Sequence, residues 1–362
     1  MRSFDRNLRK LICDEIDFKG SLSVKRFMEI ALYHPKFGYY SNNHIIGNKG
    51  DFITAPEINQ VFGELISVCL INQWERFGKP KNFNLIEFGP GKGTLMLDIL
   101  RTSSSSNEFS NSINPILFEK SKPLIRIQKE TLKDFNCTWV NSFKKIPSRP
   151  TFVIANEFLD SLPINQIIAF NHEWYRREIF HSNYELFFDK SDKLKVQPEC
   201  TPNSDGDIIE ISYSAESFIK KIVNLISKQG FSAIFIDYGL TENKTITGET
   251  LKGIRNHQFS SILDNLGSTD ISSWVNFNKI SKIKLNNINI HGPISQKMFL
   301  NNLGIKERIE NLSYNLLPNQ RRKLLADFER LVSINQMGKL FNVIGFSKSK
   351  YKKLPGFEYS TK

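Results

Sequence analysis

The most constraining feature of this chain is a short glycine-rich segment that follows an apolar run. The segment is Leu85-Ile86-Glu87-Phe88-Gly89-Pro90-Gly91-Lys92-Gly93-Thr94, and an apolar stretch with helical spacing continues from Leu95 to Arg101. Glycines between a strand and a helix let the backbone turn tightly and approach a ligand without interference from a Cβ atom. The segment therefore predicts a ligand-binding turn at the edge of an α/β sheet.

The spacing of the glycines decides between the ligands that such turns bind. A Walker phosphate loop needs Gly-Lys followed by Ser or Thr, whereas Lys92 is followed by Gly93. The dinucleotide pattern G-x-G-x-x-G needs a glycine at the position of Thr94. What remains is E-x-G-x-G-x-G, in which Glu87 would repel a pyrophosphate but suits the cationic methionine end of S-adenosylmethionine. The pattern favours that cofactor.

A second carboxylate follows the next predicted strand. Ile116-Leu117-Phe118 forms an apolar run, and Glu119 comes directly after it. A carboxylate at that place can accept hydrogen bonds from both ribose hydroxyls of a nucleotide. Either acid alone is better explained as a solvated strand end, so the inference rests on the two acids together with the glycine turn.

Short apolar runs alternate with helical patterns over much of the chain, which predicts a parallel, doubly wound α/β sheet. The predicted strands are 85–88, 116–118, 152–155 and 233–236, with a late strand at 340–346, and the predicted helices include 95–101 and 124–132. We expect an N-terminal helical region over residues 1–80, packed on the cofactor site, and a Rossmann-like domain over residues 81–362. Insertions are expected at about 164–212 and at about 239–330. The first is expected to be antiparallel over 164–188, which is rich in aromatic and β-branched residues, and the second to be helical in part.

Within the N-terminal region, helical spacing predicts one helix behind the N-cap Ser23 and a second from about Val61 to Cys69. Pro56 is expected close to the first turn of that second helix. Residues 37–55 between the two helices are predicted to form a loop, since glycines interrupt them.

Composition and charge argue against several other classes of protein. The 362 residues are 40% hydrophobic and carry a net charge of +12, with lysine spread through the chain, so we expect no specific nucleic-acid partner. No apolar run is long enough to span a bilayer, and we expect a soluble protein. Four cysteines without a C-x-x-C pair predict free thiols and no metal site. The oligomeric state stays open.

Several further motifs resemble one family, the MidA-like methyltransferases, which include a mitochondrial complex I assembly factor that dimethylates an arginine of a complex I subunit. The resemblance covers nearly the whole chain and rests on motifs at 37–40, 50–58, 62–64, 87–96, 155–163, 237–239, 250–257 and 337–341. The combination of Thr-Ala-Pro-Glu at 54–57 with Asn-Glu-Phe at 156–158 is far more specific than the glycine turn.

The resemblance implies a class I methyltransferase fold, S-adenosyl-L-methionine as cofactor, and dimethylation of an arginine in a protein such as a respiratory complex I subunit. Because an arginine guanidinium stays protonated, carboxylates beside the acceptor nitrogen would draw its positive charge away. The expected catalytic residues are Glu157, Asp160, Asn156 and His257. The expected cofactor-binding residues are Thr54, Glu57, Glu87, Gly89, Gly91, Gly93, Glu119 and Asn156. For Asn156 and Glu157, capping of a helix N-terminus is the structural alternative.

Two other functions remain open at this point. One is a non-catalytic complex I assembly factor that keeps the cofactor site as a relic, and the other is a nicotinamide-dependent oxidoreductase. Acidic residues appear early in the chain, which argues against an arginine-rich presequence. A bacterial cytoplasm is therefore the expected compartment, with the mitochondrial matrix as the alternative.

Overall fold

The computed structural model describes residues 3–41, 54–198, 200–241 and 248–358. Contacts divide the chain into two compact units, each assembled from three separate stretches. Unit 1 comprises residues 1–52, 160–217 and 242–274, and unit 2 comprises residues 53–159, 218–241 and 275–362. The sequence-based division at residue 80 stays a prediction, although the first 80 residues are shared between these units.

Helices and strands alternate through most of the described residues. The helices are α1 (Ser3–Lys19), α2 (Val24–Tyr33), α3 (Ala55–Ile58), α4 (Val61–Arg76), α5 (Thr94–Ser103), α6 (Asn107–Ser110), α7 (Lys122–Thr131), α8 (Tyr213–Gln229), α9 (Phe277–Ser281), α10 (Gln296–Asn302), α11 (Ile305–Ser313), α12 (Pro318–Val332) and α13 (Met337–Leu340). The strands are β1 (Leu22–Ser23), β2 (Phe83–Phe88), β3 (Ile113–Phe118), β4 (Thr138–Val140), β5 (Thr151–Asn156), β6 (Asn165–Phe170), β7 (Glu173–Ser182), β8 (Glu185–Lys193), β9 (Ile208–Ile211), β10 (Ser232–Leu240), β11 (Lys252–Arg255), β12 (Gln258–Ser260), β13 (Asp270–Ser272), β14 (Val275–Asn276), β15 (Ile288–Ser295) and β16 (Phe341–Lys348). Among the described residues, no helix has both the length and the apolar character needed to cross a membrane.

Unit 2 is organised around an eight-stranded sheet with the order β15-β16-β10-β5-β2-β3-β4, and β14 pairs with β10 beside this path. The strands from β10 to β4 run parallel to one another, whereas β16 and β15 are antiparallel. The strand order reverses between β2 and β5, which creates a crevice at their carboxyl ends, the usual ligand position in open α/β sheets. The predicted doubly wound, mostly parallel sheet is confirmed.

The central strands appear in the sequence as mainly apolar runs because both of their faces are covered. Every residue of β2 and of β5 is buried. The predicted strands fall within β2, β3, β5 and β10, the late strand corresponds to β16, and the two predicted helices correspond to α5 and α7.

The position of α5, the helix that follows the glycine turn, is set by close packing against α4. Apolar residues of α4, α5 and β2 belong to one continuous core, including Phe62, Ile66, Leu85 and Ile99. A Cβ atom at Gly63 of α4 would lie only 2.4 Å from the Cβ of Asp98 on α5. The missing side chain therefore lets the two helices cross at short distance and holds the start of α5 against the sheet.

Unit 1 contains two antiparallel sheets. The larger sheet joins β1, β7, β6 and β9 in that order, with β8 paired to β7. It occupies most of the stretch 164–212 and is antiparallel, as expected there, whereas the bounds of the insertion stay a prediction. The smaller sheet has the order β12-β11-β13 and lies within the stretch 239–330, which also contains the helices α9, α10 and α11.

The N-terminal helices match their predictions with one difference. Ser23 caps α2, and its side chain accepts a hydrogen bond from the Arg26 backbone N–H. Pro56 lies in the separate helix α3 and not in the first turn of α4, because the chain leaves the helical conformation at Asn59. Of the loop expected over 37–55, residues 42–53 lie outside the described residues.

Candidate active site

The glycine turn between β2 and α5 adopts a conformation that side chains disfavour. Gly89, Gly91 and Gly93 have φ angles of 65°, 52° and 86°. A Cβ atom at Gly89 would lie 2.6 Å from Cδ2 of Phe158, whereas a Cβ atom at Gly91 would meet no heavy atom within 4 Å. Gly89 is therefore required by packing, and Gly91 by its left-handed backbone beside an open space.

Glu87 lies beneath this turn, one residue before the end of β2, and is only 3% exposed. Burial raises the pKa of its carboxyl from 4.5 to about 8, while a hydrogen bond from the Met96 backbone N–H opposes the rise. Met96 is in the first turn of α5, so Glu87 ties the strand to the helix. Its Oε2 atom has no hydrogen-bond partner among the described residues.

Glu119 follows β3, the neighbour of β2, and its carboxylate is held in place by the chain that follows. Oε1 accepts hydrogen bonds of 2.7 Å from the backbone N–H groups of Lys120 and Ser121. Oε2 accepts a hydrogen bond of 3.3 Å from Nε2 of Gln128. Burial raises the pKa of Glu119, and these hydrogen bonds oppose the rise.

Gln128 is a residue of this site that sequence reasoning missed. It lies on α7 and is fully buried, and its Nε2 atom also donates a 2.8 Å hydrogen bond to the carbonyl of Gly91. A signal was present in the sequence, because Gln128 interrupts an apolar helix face between Leu124 and Leu132 at four-residue spacing.

Asn156 and Glu157 occupy the end of β5, on the other side of β2. Glu157 has a φ of 50°, and its backbone N–H donates a 2.8 Å hydrogen bond to the carbonyl of Ile236. Its Oε1 atom accepts hydrogen bonds of 3.1 Å from the Ala55 backbone N–H and from Nδ2 of Asn156. A residue other than glycine whose backbone is held in the left-handed region costs about 1–3 kcal/mol of stability, and such residues often mark a functional site.

The sequence motif at 54–57 joins the same edge of the sheet. Thr54 is the N-cap residue of α3, although its side chain makes no capping hydrogen bond. Glu57 forms a 3.1 Å ion pair with Lys92 of the glycine turn. Together with the contact between Ala55 and Glu157, this ion pair brings α3 to both the β2 turn and the β5 loop.

Asp237 organises the loop after β5 from the adjacent strand β10. It is 1% exposed, and its carboxylate accepts hydrogen bonds from the backbone N–H groups of Phe158 at 3.1 Å, Leu159 at 2.8 Å and Tyr238 at 2.9 Å. The sequence placed this residue at a strand end. Its role in holding the Asn156–Glu157 segment became visible only in the structure.

Asp160 belongs to unit 1. Its carbonyl accepts a 3.0 Å hydrogen bond from the Ser273 backbone N–H. Within the same unit Tyr40 stacks on Tyr33, with ring centroids 5.5 Å apart. Burial, followed by the charges of Asp270 and Asp160, raises the pKa of Tyr40 well above 10.0. Asp160 thus lies among tyrosines and a second carboxylate.

His257 also belongs to unit 1, at the exposed tip of the hairpin that joins β11 to β12. It and Asn256 are the two turn residues between Arg255 and Gln258, with φ angles of 60° and 49°. Two positive φ angles are what a tight two-residue hairpin requires. The turn accounts for this residue in the structure, and a catalytic role for His257 stays a prediction.

The structure therefore brings most of the predicted site residues together within unit 2. The carboxyl ends of β2, β3 and β5 are neighbours in the sheet. They carry the glycine turn, Glu119 and the pair Asn156–Glu157, with α3 beside them. This edge is rich in carboxyl groups and includes the strand-order reversal, so it suits a cationic, nucleoside-containing ligand.

Comparison with known proteins decides which enzymes these features belong to. A family model for S-adenosyl-L-methionine-dependent methyltransferases matches residues 65–294, more than half of the chain. The chain belongs to this family. Its cofactor is S-adenosyl-L-methionine and its reaction is methyl transfer. This membership decides against the nicotinamide-dependent oxidoreductase alternative.

Curated relatives cover most of this methyltransferase. It is 31% identical to the mitochondrial protein arginine methyltransferase NDUFAF7 of Danio rerio, over 94% of this chain and 86% of that protein. The Homo sapiens protein of the same name is also 31% identical, over 95% of this chain and 84% of that protein. These relatives agree with the resemblance seen in the sequence motifs.

Solved structures confirm the fold of this methyltransferase. The crystal structure of a superfamily member from Burkholderia thailandensis bound to S-adenosyl-homocysteine superimposes with a TM-score of 0.82 at 22% identity. The match covers 99% of this chain and 96% of that chain. The predicted class I methyltransferase architecture is confirmed over nearly the full length.

The residues at the sheet edge fit the cofactor of the family. A backbone turn with open space at Gly91 admits close approach of a ligand. The buried Oδ1 atom of Asn156 has no hydrogen-bond partner among the described residues and can accept one from a ligand. At the same edge, the carboxylate of Glu119 and the buried carboxyl of Glu87, whose charged form a neighbouring cation would favour, complement a positively charged molecule.

Proposed function

We propose that this methyltransferase modifies an arginine side chain of a protein substrate. The observation that carries the proposal is the carboxylate of Glu157, which the chain holds in a strained conformation at the end of β5. Similarity to arginine methyltransferases over more than nine-tenths of the chain supports it. A fixed carboxylate is the group needed beside a guanidinium acceptor.

We propose the following roles for the residues that hold the cofactor. Gly89, Gly91 and Gly93 form the turn that the ligand approaches, and Glu119 accepts hydrogen bonds from its ribose hydroxyls. Glu87 lies beneath the turn, where the cationic methionine end would lower the pKa of its carboxyl and favour the charged form. The remaining cofactor residues are Asn156, through its buried amide oxygen, and Thr54 and Glu57 of the neighbouring helix.

The chemistry of arginine explains why a carboxylate is needed. The guanidinium has a pKa of about 12.5–13.8, so its nitrogens carry little nucleophilic electron density at neutral pH. When bound, the cofactor supplies an electrophilic methyl group on a sulfonium. Glu157 would hold the guanidinium fork, draw positive charge from the attacking nitrogen, and receive the proton that this nitrogen loses as the new N–C bond forms.

Asp160 is the second carboxylate proposed to act on the acceptor. It follows Glu157 by three residues in the chain, and within unit 1 it lies near Tyr33, Tyr40 and Asp270. Asn156 supports Glu157 directly through the 3.1 Å hydrogen bond from its amide. We give His257 the lowest place among the catalytic candidates because its position at a hairpin tip is explained by the turn itself.

The protein that is modified and the compartment stay predictions. A respiratory complex I subunit is the substrate that the MidA-like motifs imply. The curated relatives are named as mitochondrial proteins, which supports the matrix alternative. A bacterial cytoplasm stays a prediction that the comparisons leave open.

The test is mass spectrometry of candidate protein substrates after incubation with the enzyme and S-adenosylmethionine that carries a deuterated methyl group. The proposal expects one or two labelled methyl groups on a single arginine. Label on another residue type, or on a small molecule only, would overturn the arginine assignment. It would leave the methyltransferase family unaffected.

Glu157→Gln is the variant that separates an enzyme from a non-catalytic assembly factor. The amide keeps the size of the side chain and one acceptor for the Ala55 N–H, but it removes the charge. An enzyme should lose at least about 100-fold in turnover, as expected for loss of a group that acts in the transition state. Binding of S-adenosylhomocysteine should change by less than about threefold. Unchanged biological function with Glu157→Gln would instead support the assembly factor.

A further inference from the structure

Gln128 has an unusual position for an amide side chain. It is on the inner face of α7, fully buried, with Leu124 and Leu132 one turn before and after it. A buried amide without partners is costly, so its hydrogen bonds explain why it is there. Those bonds reach three different elements of unit 2.

The three elements are the glycine turn, the residue after β3, and strand β4. Nε2 of Gln128 donates to the carbonyl of Gly91 at 2.8 Å and to Oε2 of Glu119 at 3.3 Å. Its Oε1 atom accepts a 3.0 Å hydrogen bond from Nε1 of Trp139 on β4. The amide therefore connects the two cofactor-facing segments to the edge of the sheet.

Trp139 fixes which way the amide points. An indole N–H can only donate, so the amide oxygen must face Trp139 and the amide nitrogen must face the other side. Both N–H groups of Gln128 are then directed at acceptors, the Gly91 carbonyl and the Glu119 carboxylate. Reversing the amide would place a donor against a donor at Trp139 and an oxygen against two acceptors.

Gly93 lies against the same part of α7. A Cβ atom at Gly93 would lie 3.5 Å from Cγ of Gln128 and 3.4 Å from Cδ1 of Leu132, which are ordinary van der Waals distances. Glycine is favoured at this position by its φ of 86°. The turn and the stem of the Gln128 side chain are therefore in close contact, which keeps the amide within reach of the Gly91 carbonyl.

We infer that Gln128, oriented by Trp139, is a positioning residue that couples the glycine turn to the ribose-binding carboxylate, so that the cofactor meets both in one fixed arrangement. This inference rests on the proposed role of Glu119. Gln128 touches no reacting atom and acts through Gly91 and Glu119. Hydrogen bonds to a charged group are stronger than neutral ones, so its loss should be felt in cofactor affinity.

Isothermal titration of S-adenosylhomocysteine into wild type, Gln128→Met, Glu119→Ala and the double variant tests the coupling. Methionine keeps the shape of glutamine and removes its hydrogen bonds. We expect Gln128→Met to weaken binding about 10-fold, the range for a hydrogen bond to a charged group. When Glu119→Ala is already present, adding Gln128→Met should weaken the affinity for S-adenosylhomocysteine by less than about threefold, since most of the effect of Gln128 passes through Glu119.

Asn84→Leu is the matched control for a purely structural effect. Asn84 is a fully buried amide at the other end of β2, with hydrogen bonds to Pro147, Thr151 and Asn114. The substitution Asn84→Leu should lower the melting temperature and leave the affinity for S-adenosylhomocysteine unchanged. If Gln128→Met proves less stable than this control, Trp139→Phe is used in its place. This variant keeps Gln128 and removes only the hydrogen bond that orients its amide, and we expect it to weaken the affinity for S-adenosylhomocysteine about threefold.

Two results would overturn the inference. One is wild-type affinity in both Gln128→Met and Trp139→Phe. The other is a Gln128→Met effect of equal size with and without Glu119. Failure of the wild-type protein to bind S-adenosylhomocysteine would instead refute the proposed cofactor site itself, so the two failures are distinguishable.

Discussion

Replacing Glu87 by glutamine tests how the glycine turn is anchored. The carboxyl is buried beneath the turn, and it accepts a hydrogen bond from the Met96 N–H at the start of α5. Glutamine has the same shape and retains an acceptor for that N–H. It cannot take up or lose a proton, so the variant isolates the cost of burying a charge.

The magnitude follows from the pKa of Glu87, which burial raises from 4.5 to about 8. The folded state therefore binds this proton more tightly than the unfolded state. The stability that the folded protein gains from burying the neutral carboxyl is fully present below pH 4.5, and it is lost as the pH rises to about 8. Within that window each pH unit lowers the free energy of unfolding by about 1.4 kcal/mol, and the total loss is at most about 5 kcal/mol.

The assay is thermal unfolding of wild type and Glu87→Gln from pH 5 to pH 9. The melting temperature of the variant should rise relative to wild type as the pH increases to about 8, and the difference should stay constant above it. Glu130→Gln is the control, since it makes the same substitution at an exposed carboxyl on the surface of α7. A difference between Glu87→Gln and wild type that does not change with pH would refute the buried, protonated carboxyl.

Three further outcomes test the rest of the site. Gly89→Ala should destabilise the fold by about 1–3 kcal/mol more than Gly91→Ala, because both residues have a positive φ but only the Cβ at position 89 would meet Phe158. Gly91→Ala should in addition weaken S-adenosylhomocysteine binding, since its Cβ would enter the open space beside the turn. Denaturant unfolding and titration measure the two effects, and equal effects on stability would contradict this division. Asp237→Ala should lower the stability by about 3 kcal/mol and reduce turnover more than 10-fold, since it removes the carboxylate that accepts the hydrogen bonds of the β5 loop. Full activity in a methyl-transfer assay would contradict its positioning role. Lys92→Met breaks a half-exposed ion pair and should cost less than about 1 kcal/mol in thermal unfolding, so a larger loss would show that the pair fixes the turn.

The parts of the site that could be predicted from the sequence are those with local causes. A buried strand followed by left-handed glycines and a helix leaves a contiguous pattern, so Leu85–Gly93 was placed correctly. Glu119 follows its strand directly and is visible in the same local pattern, while its cofactor role stays a prediction. The parallel, doubly wound character of the sheet is predictable from strand–helix alternation, because crossover connections allow few alternatives.

The parts that could not be predicted depend on contacts between distant segments. Gln128 reaches the Gly91 carbonyl from α7, and Asp237 holds the amides of Phe158 and Leu159 from β10. Neither pairing leaves a local pattern. The division of the chain into units is also non-local, since residues 242–274 group with residues 160–217. His257 lies in a motif and also at a hairpin turn that accounts for its conformation, so its catalytic role stays a prediction.

A crystal structure of the protein with S-adenosylhomocysteine is the most direct test of the central claim, which is that the cofactor binds at the carboxyl ends of β2, β3 and β5. The account predicts the ribose hydroxyls within hydrogen-bond distance of Glu119 and the methionine end beside the glycine turn at Gly91. It also predicts that Gln128 keeps its bonds to both residues. Ligand density at any other place, or a bound ligand with Glu119 facing solvent, would contradict it.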